Sequence, residues 1–341
     1  MARHPDLPRH SVPVVAAGPP AQAERLRISG GRVAQGFDEP AFTLDGPCNS
    51  LLPVLIAVPH GGQAYPADLL ARMRAPDLCR LRLEDRHVDQ LGVAVAAATG
   101  APLLRAHAPR AMLDLNRAES DIDWEMIEGP RLARPMAAAA AAAAAVTGSA
   151  ANHRARSGLG LIPRRLPGYG EIWRSRLPRA ELDRRIAEVH QPYHQALGEH
   201  LQRIRDIWGA ALLIDLHSMP PLAPRDSDMP APVMVLGDRF GASCHHALVR
   251  CGLGFFEGEG VRAAQNRPYS GGYVLDRHGA PANGIHAIQI EVCRSLYLDD
   301  DLAEVTDEAA GIAALLTRLV VQLGRETAAL GQARAMLEAA E

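Results

Sequence analysis

The chain contains no lysine, so all 36 of its Lys and Arg residues are arginine. That bias reads as a property of composition rather than of function, because it comes with no excess of positive charge. The formal net charge is -3, with 14 histidines taken as neutral. A domain of this balance has no basic footprint for nucleic acid. Cysteine is also scarce. The five cysteines, at 48, 79, 244, 251 and 293, form no CxxC pair and fall far below the density of a disulfide scaffold. They suit a reducing compartment, and the expectation is a soluble protein of the cytoplasm. The N-terminal VPVVAAG is too short and too interrupted by proline to target or span a membrane. No GxxxxGK[ST] pattern is present, so the Gly-rich RPYSGGY, 267–273, is better read as a lip over a site than as a phosphate cradle. No internal repeat is visible. Neither nucleic acid nor membrane is expected as a partner.

What is present is an alternation of strand-like and helix-like segments over 341 residues, long enough to bury a sizeable core. Residues 1–45, rich in Pro, Ala and Arg without sustained periodicity, are expected to form a loosely held arm. Residues 46–341 are expected to form a single α/β domain, with the Ala-rich stretch at about 131–165 as an insertion. LLPVLIAVPHGG predicts the first core strand. A helix is predicted over 66–81, and a second across VDQLGVAVAAATG, closed by Gly100. PLLRAHAPRAMLDLN predicts a strand, a turn and a second strand. From 178 to 208 apolar residues recur at spacings of three and four, which predicts an amphipathic helix closed by Gly209 and kinked or divided by Pro192. ALLIDLH and PVMVLG predict buried strands, and 301–337 a final helix. The expected architecture is a three-layer α/β sandwich with a mixed, largely parallel sheet.

Chemistry collects where these strands finish, as it does in open α/β sheets. LLIDLHSMP ends in Asp215 and His217, LLPVLIAVPHGG in His60, and HAIQIEVCR carries Glu291. Two histidines and a carboxylate on three strand ends suggest a metal hydrolase. A catalytic zinc takes three protein ligands from His, Asp and Glu and keeps one position for water. His60 and His217 supply two, and LEDRHVD offers Glu84, Asp85 and Asp89 for the third. The competing uses are ordinary ones: a strand-end histidine also caps turns, and an acidic residue at a helix start complements its dipole. In IQIEVCR the alternation puts Gln289, Glu291 and Cys293 on the face opposite Ile288, Ile290 and Val292. A carboxylate so placed takes a proton from an attacking water and returns it to a departing amine. The competing use is an ion pair with Arg294. A thiol hydrolase using Cys293 has less support, since no separate histidine is visibly paired with it. Arg110, Asn116 and Arg117 bracket a short apolar segment, and guanidinium forks grip carboxylates bidentately. They point to an acidic substrate, against pairing with Asp114, Glu119 or Asp121.

The ordered set VPHGGQAYP, EDRHVDQL, RAMLDLNR, PYHQAL, IDLHSMP, VLGDRFGASC, NRPYSGGY and IQIEVCRSLYLD resembles the N-formylglutamate amidohydrolase family over about residues 50–300. The resemblance implies a zinc-dependent hydrolase of the phosphorylase/hydrolase-like α/β fold, akin to zinc carboxypeptidases and aspartoacylase. It implies cleavage of N-formyl-L-glutamate to formate and L-glutamate, a late step of histidine breakdown, with one Zn2+ per chain. His60 in PHGG and His217 in DLHS match the metal-ligand positions, with Asp85 the preferred third ligand and Glu84 the alternative. The compact HxxE of the carboxypeptidase relatives is broken by Gln63. Asn116 and Arg117, with Arg110 upstream, resemble the substrate-carboxylate clamp of aspartoacylase-like enzymes, and Glu291 matches their general base. Two alternatives stay open: a metal-dependent hydrolase of another small N-acyl amino acid or peptide, and a non-catalytic, metal-stabilised binding protein in which Glu291 is tied up in a buried ion pair.

Overall fold

A computed structural model describes residues 25–129, 157–166, 168–224 and 230–338. Its strands are β1 (Arg25–Gly30), β2 (Phe42–Pro47), β3 (Val54–Val58), β4 (Leu103–Ala106), β5 (Arg165–Leu166), β6 (Gly170–Glu171), β7 (Ala211–Met219), β8 (Met234–Gly237), β9 (Ala263–Gln265) and β10 (Ile285–Cys293). The helices are α1 (Ala67–Ala71), α2 (Pro76–Leu83), α3 (Val88–Thr99), α4 (Arg179–Arg185), α5 (Gln191–Trp208), α6 (His246–Gly258), α7 (Tyr273–His278) and α8 (Ala309–Glu338). Eight strands form one sheet in the order β1-β2-β4-β3-β7-β10-β8-β9, and β5 with β6 forms a small hairpin. The pairs β4/β3, β3/β7 and β7/β10 are parallel, as is β8/β9, while the flanking pairs are antiparallel. The mixed, largely parallel α/β architecture is thus the one the element alternation predicts.

The central strands read VLIAV and ALLIDLHSM and are buried on both faces, which is why they show apolar runs instead of strict alternation. On one face Val54, Ile56, Leu212, Ile214 and Ile288 pack against α3, α6 and α8. On the other, Leu55, Leu104 and Leu213 pack against Tyr193, Leu197 and Leu201 of α5. Towards the carboxyl ends this second face turns polar, with Asp215, His217, Gln289 and Glu291 all buried. The residue types of β7 and β10 alternate in register, Glu291 lying beside His217.

Several boundaries differ from the sequence expectation. Residues 25–45 are not a loose arm: β1 and β2 extend the sheet as an antiparallel pair, and Phe42 and Leu44 enter the core. Residues 1–24 and most of the Ala-rich insertion lie outside the described residues. The described end of that stretch packs firmly, since Leu161 is fully buried and its carbonyl receives the Asp114 N–H at 2.8 Å. The helix predicted over 66–81 divides into α1 and α2, because Pro76 has no N–H to continue the first helix and instead begins the second. The second strand predicted from AMLDLN does not form. Met112, Leu113 and Leu115 are buried as in a strand, but the backbone closes turns through Met112 N to Pro109 O and Arg117 N to Asp114 O. The helix over 178–208 is divided as Pro192 requires: a single π turn, Ile186–His190, joins α4 to α5. Gly209 closes α5 at φ 76° and Gly100 closes α3 at φ 70°, as expected of C′ glycines. The last helix starts at Ala309 rather than 301, since the Asp299 carboxylate accepts from Ala303 N and Glu304 N and holds that segment in a turn. All five cysteines are free. Among the described residues no helix is long and apolar enough to cross a membrane.

Candidate metal centre and active site

His60 follows β3 in the turn Pro59, His60, Gly61, Gly62. A Cβ on Gly61 would lie 2.9 Å from the Asp89 Cβ, and one on Gly62 would overlap the backbone of His107 and Ala108. Only glycine lets the turn slide between these segments, and that close approach fixes the imidazole. Asp85 stands between α2 and α3 and is tied to the same turn, its N–H donating to the His60 carbonyl at 3.0 Å. His217 and Asp215 project from one face of β7, two residues apart.

His60, Asp85 and His217 come together, with ligand atoms all within 4.8 Å of one another and every residue buried. Asp85 Oδ2 lies 2.9 Å from His217 Nδ1 and 3.6 Å from His60 Nδ1. The other nitrogen of each ring meets a carboxylate: His60 Nε2 is 2.8 Å from Asp114 Oδ1, and His217 Nε2 is 2.9 Å from Asp215 Oδ2. A carboxylate behind each Nε2 favours a proton there, and both Nδ1 atoms face inward, that of His217 towards Asp85. His60 Nδ1 is buried without a hydrogen-bond partner. Two inward imidazole nitrogens and a carboxylate oxygen converging in a buried site, with His60 Nδ1 unpartnered, match the donor set of a divalent transition metal. The residues present fit such an ion.

The same convergence holds charge on the protein groups, so an ion bound here would displace the second proton that His217 carries. Burial works to raise the Asp85 carboxyl, but His217 and His60 outweigh it and hold the group well below the usual carboxylate range. Burial opposes charge on His217 too, yet Asp215 and Asp85 hold its ring well above the ordinary imidazole value. Arg110 and His60 likewise keep Asp114 ionised against burial. Glu291 behaves differently. Burial pushes its carboxyl up to about 7, with Asp85 and Asp215 adding to the shift and His217 and Arg110 opposing it.

The remaining sequence candidates separate cleanly. Glu84 is fully buried but faces Arg80 at 3.6 Å and Arg86 at 3.4 Å, outside the His60, Asp85 and His217 group. Asp89 faces Arg105 at 3.6 Å, and Gln63 is exposed. The Arg294 ion pair that competes for Glu291 is not made. Arg294 turns instead to Asp85 Oδ1 at 3.3 Å, Ser218 Oγ at 3.0 Å and the Glu84 carbonyl. Arg110 reaches the same group: its Nε is 3.0 Å from Asp114 Oδ2, its Nη1 is 4.0 Å from Asp85 Oδ1, and its side chain is 25% exposed. Arg117 donates through Nε to the Leu159 carbonyl and through Nη1 to the Asn116 carbonyl, so it braces backbone. Asn116 is buried, with both ends of its amide engaged inside the protein. Sequence reasoning named Asp114 only as a competing partner for the arginines, a pairing Arg110 does make, and missed its contact with His60, 54 residues away. It also passed over Arg294 as a partner of Asp85, and Tyr269, a half-buried phenol raised by burial and by the nearby Glu291 and Asp85.

A second histidine group braces the loop that carries Asp114. His190 Nε2 donates to the Arg117 carbonyl at 2.9 Å and His194 Nε2 to the Leu115 carbonyl at 3.0 Å, since a carbonyl can only accept. His194 Nδ1 therefore accepts from His278 Nε2, 3.0 Å away. Burial, the main cause, lowers His190 to about 4 and His278 to about 3, and takes His194 well below its ordinary value. An unfolded imidazole binds its proton near about pH 6.5, so below that pH the unfolded chain takes up more protons than the folded one and stability falls. Burial lowers His107, His200 and His286 in the same sense, while His217, Glu84 and Glu291, all raised, contribute the opposite sign, so six lowered imidazoles stand against three raised groups. The urea midpoint is therefore expected to drop between about pH 7.5 and about pH 5, well above the range in which ordinary carboxylates titrate. An unchanged midpoint over that interval would contradict the buried neutral triad.

The family model of N-formylglutamate amidohydrolase matches residues 52–298. The chain belongs to that family. This amidohydrolase is 32% identical over 270 residues to the N-formylglutamate deformylase of Pseudomonas aeruginosa, a match covering 75% of the chain and 88% of that protein. It is 29% identical over 252 residues to the N-formylglutamate deformylase of Pseudomonas putida, covering 73% and 83%. Among solved structures it resembles the N-formylglutamate amidohydrolase of Ralstonia eutropha JMP134, with a TM-score of 0.72 and 34% identity over 84% of this chain and 98% of that one. The matched span contains the three potential metal ligands, Glu291, Arg110 and the loop 114–117 of the amidohydrolase.

Proposed function

We propose that this amidohydrolase cleaves N-formyl-L-glutamate to formate and L-glutamate, with one zinc ion held by His60, Asp85 and His217. The observation that carries the reading is the convergence of two inward Nδ1 atoms and Asp85 Oδ2 within 4.8 Å, beside a buried Glu291 whose carboxyl is pushed up to about 7. When bound, zinc supplies a Lewis acid for the formyl carbonyl and lowers the pKa of a coordinated water toward neutrality.

The chain's own residues do the rest. Asp114 and Asp215 hold the ring protons on Nε2, and Arg294 holds Asp85 Oδ1 so that Oδ2 faces the imidazoles. Glu291 takes a proton from the attacking water and delivers it to the amine nitrogen as the C–N bond breaks. A carboxyl poised near neutral pH suits both halves of that exchange. Arg110, whose guanidinium is partly exposed, binds a substrate carboxylate, while Arg117 keeps the loop in place. The reading sets the enzyme in histidine breakdown in the cytoplasm, and five unpaired cysteines support a reducing compartment.

A panel of N-formyl, N-acetyl and peptide-linked acidic amino acids, assayed for amine release, tests the acyl group. Fastest release is expected from N-formylglutamate, and faster release from another acyl group would change the substrate while keeping the site. Arg110→Ala is expected to lower kcat/KM for N-formylglutamate about ten- to a hundredfold, the worth of a charge-assisted contact, and to lower it much less for N-formylmethionine. Arg117→Ala should cost stability and affect both substrates alike. Equal losses for the two substrates in Arg110→Ala, with the fold intact by circular dichroism, would remove Arg110 from carboxylate recognition.

A further inference from the structure

The polarity of two buried amides is fixed by what they face. Val274 N–H, in the first turn of α7, can only donate, so the oxygen it meets at 3.0 Å is Asn116 Oδ1 as an acceptor. The other end of that amide, Nδ2, then donates to Gln289 Oε1 at 3.4 Å. Gln289 Nε2 is left to donate to Glu291 Oε1 at 2.7 Å. Among the described residues Glu291 Oε2 receives no such bond. The direction of the chain, from lip to carboxylate, therefore follows from one backbone N–H.

The first amide is held unusually firmly. The carbonyls on either side of Asn116, those of Leu115 and Arg117, accept from the buried imidazoles of His194 and His190. Its own N–H donates at 2.8 Å to Asp114 Oδ1, the oxygen that also receives His60 Nε2. A Cβ on Gly272, in the lip before α7, would press into the Asn116 side chain, so glycine there lets the lip close onto the amide. One short loop is thereby tied to His60 through Asp114 and to Glu291 through Asn116 and Gln289.

We propose that Asn116 and Gln289 are positioning residues for the hydrolysis, forming a two-amide relay that fixes Glu291 by one oxygen and leaves the other to move the proton. This reassigns Asn116 from substrate binding to orientation of the proton carrier. The proposal rests on the reading of Glu291 as that carrier. Gln289→Met removes the donor at similar volume, and Asn116→Asp keeps the acceptor for Val274 but cannot donate to Gln289. Each is expected to lower kcat about ten- to a hundredfold, as for loss of one bond to a charged group, with KM within about twofold and zinc content unchanged. In a Glu291→Gln background either change should have little further effect, because coupled residues are not additive. Losses that multiply in the double variants, or a raised KM with kcat intact, would overturn the relay. Glu291→Gln that retains kcat would overturn the underlying reading of Glu291 instead, a result distinct from the other two. Asn116→Asp, being nearly isosteric, keeps the test decisive if Gln289→Met does not fold.

Discussion

Glu291→Gln is expected to lower kcat by about 10²- to 10⁴-fold while bound zinc stays near one per chain. The size of the effect follows from where the carboxyl sits. It is buried on the polar end of the sheet face, beside His217 on the neighbouring parallel strand, and it makes no ion pair among the described residues. Burial costs the charged form enough to raise the carboxyl to about 7. A group placed only for stability would gain from a neutralising partner there, and Arg294 is close enough in sequence to provide one. Arg294 instead serves Asp85. Glutamine keeps the shape and the acceptor for Gln289 Nε2 but has no proton to exchange at neutral pH. A variant that retained most of its kcat, measured by formate release at saturating substrate, would make Glu291 a structural residue and reopen the non-catalytic alternative.

His217→Ala is expected to abolish metal binding and, with it, activity. Three ligands is the minimum for a catalytic zinc site, and removing one leaves an incomplete set whose affinity falls by orders of magnitude. The remaining groups would also be left badly matched. Asp85 Oδ2 and Asp215 Oδ2 both lie 2.9 Å from the His217 ring, so its removal leaves two buried carboxylates without their shared partner. Metal analysis of the purified variant should find well under the about one zinc per chain expected of the parent. Metal retained at the parental level would move the ligand set elsewhere.

Much of this site was legible because buried parallel strands advertise themselves. β3, β7 and β10 appear as apolar runs that stop at His60, at Asp215 with His217, and beside Glu291. What stayed hidden depended on contacts between distant segments. β1 is an edge strand of sequence RLRISG, whose Leu26 and Ile28 alternate with polar residues over a stretch too short and too exposed to stand out from the arm before it. The segment 111–116 alternates like a strand, yet the Asp114 N–H goes to Leu161 and its carboxylate to His60. Arg117 looks like a free fork in sequence and becomes a brace as the distant Leu159 carbonyl and its neighbour's carbonyl accept from it. The choice of Asp85 over Glu84 turned on one backbone bond, from Asp85 N–H to the His60 carbonyl, which aims one carboxylate inward while its neighbour faces Arg80 and Arg86.

The most direct single measurement is formate release from N-formyl-L-glutamate by the purified protein before chelation, after exhaustive chelation, and after zinc is restored. Formate and glutamate are expected in equal amounts, falling to background when the metal is removed and returning with about one zinc per chain. Formate release that survives complete removal of metal, or its absence from fully zinc-loaded protein, would contradict a zinc amidohydrolase built on His60, Asp85 and His217.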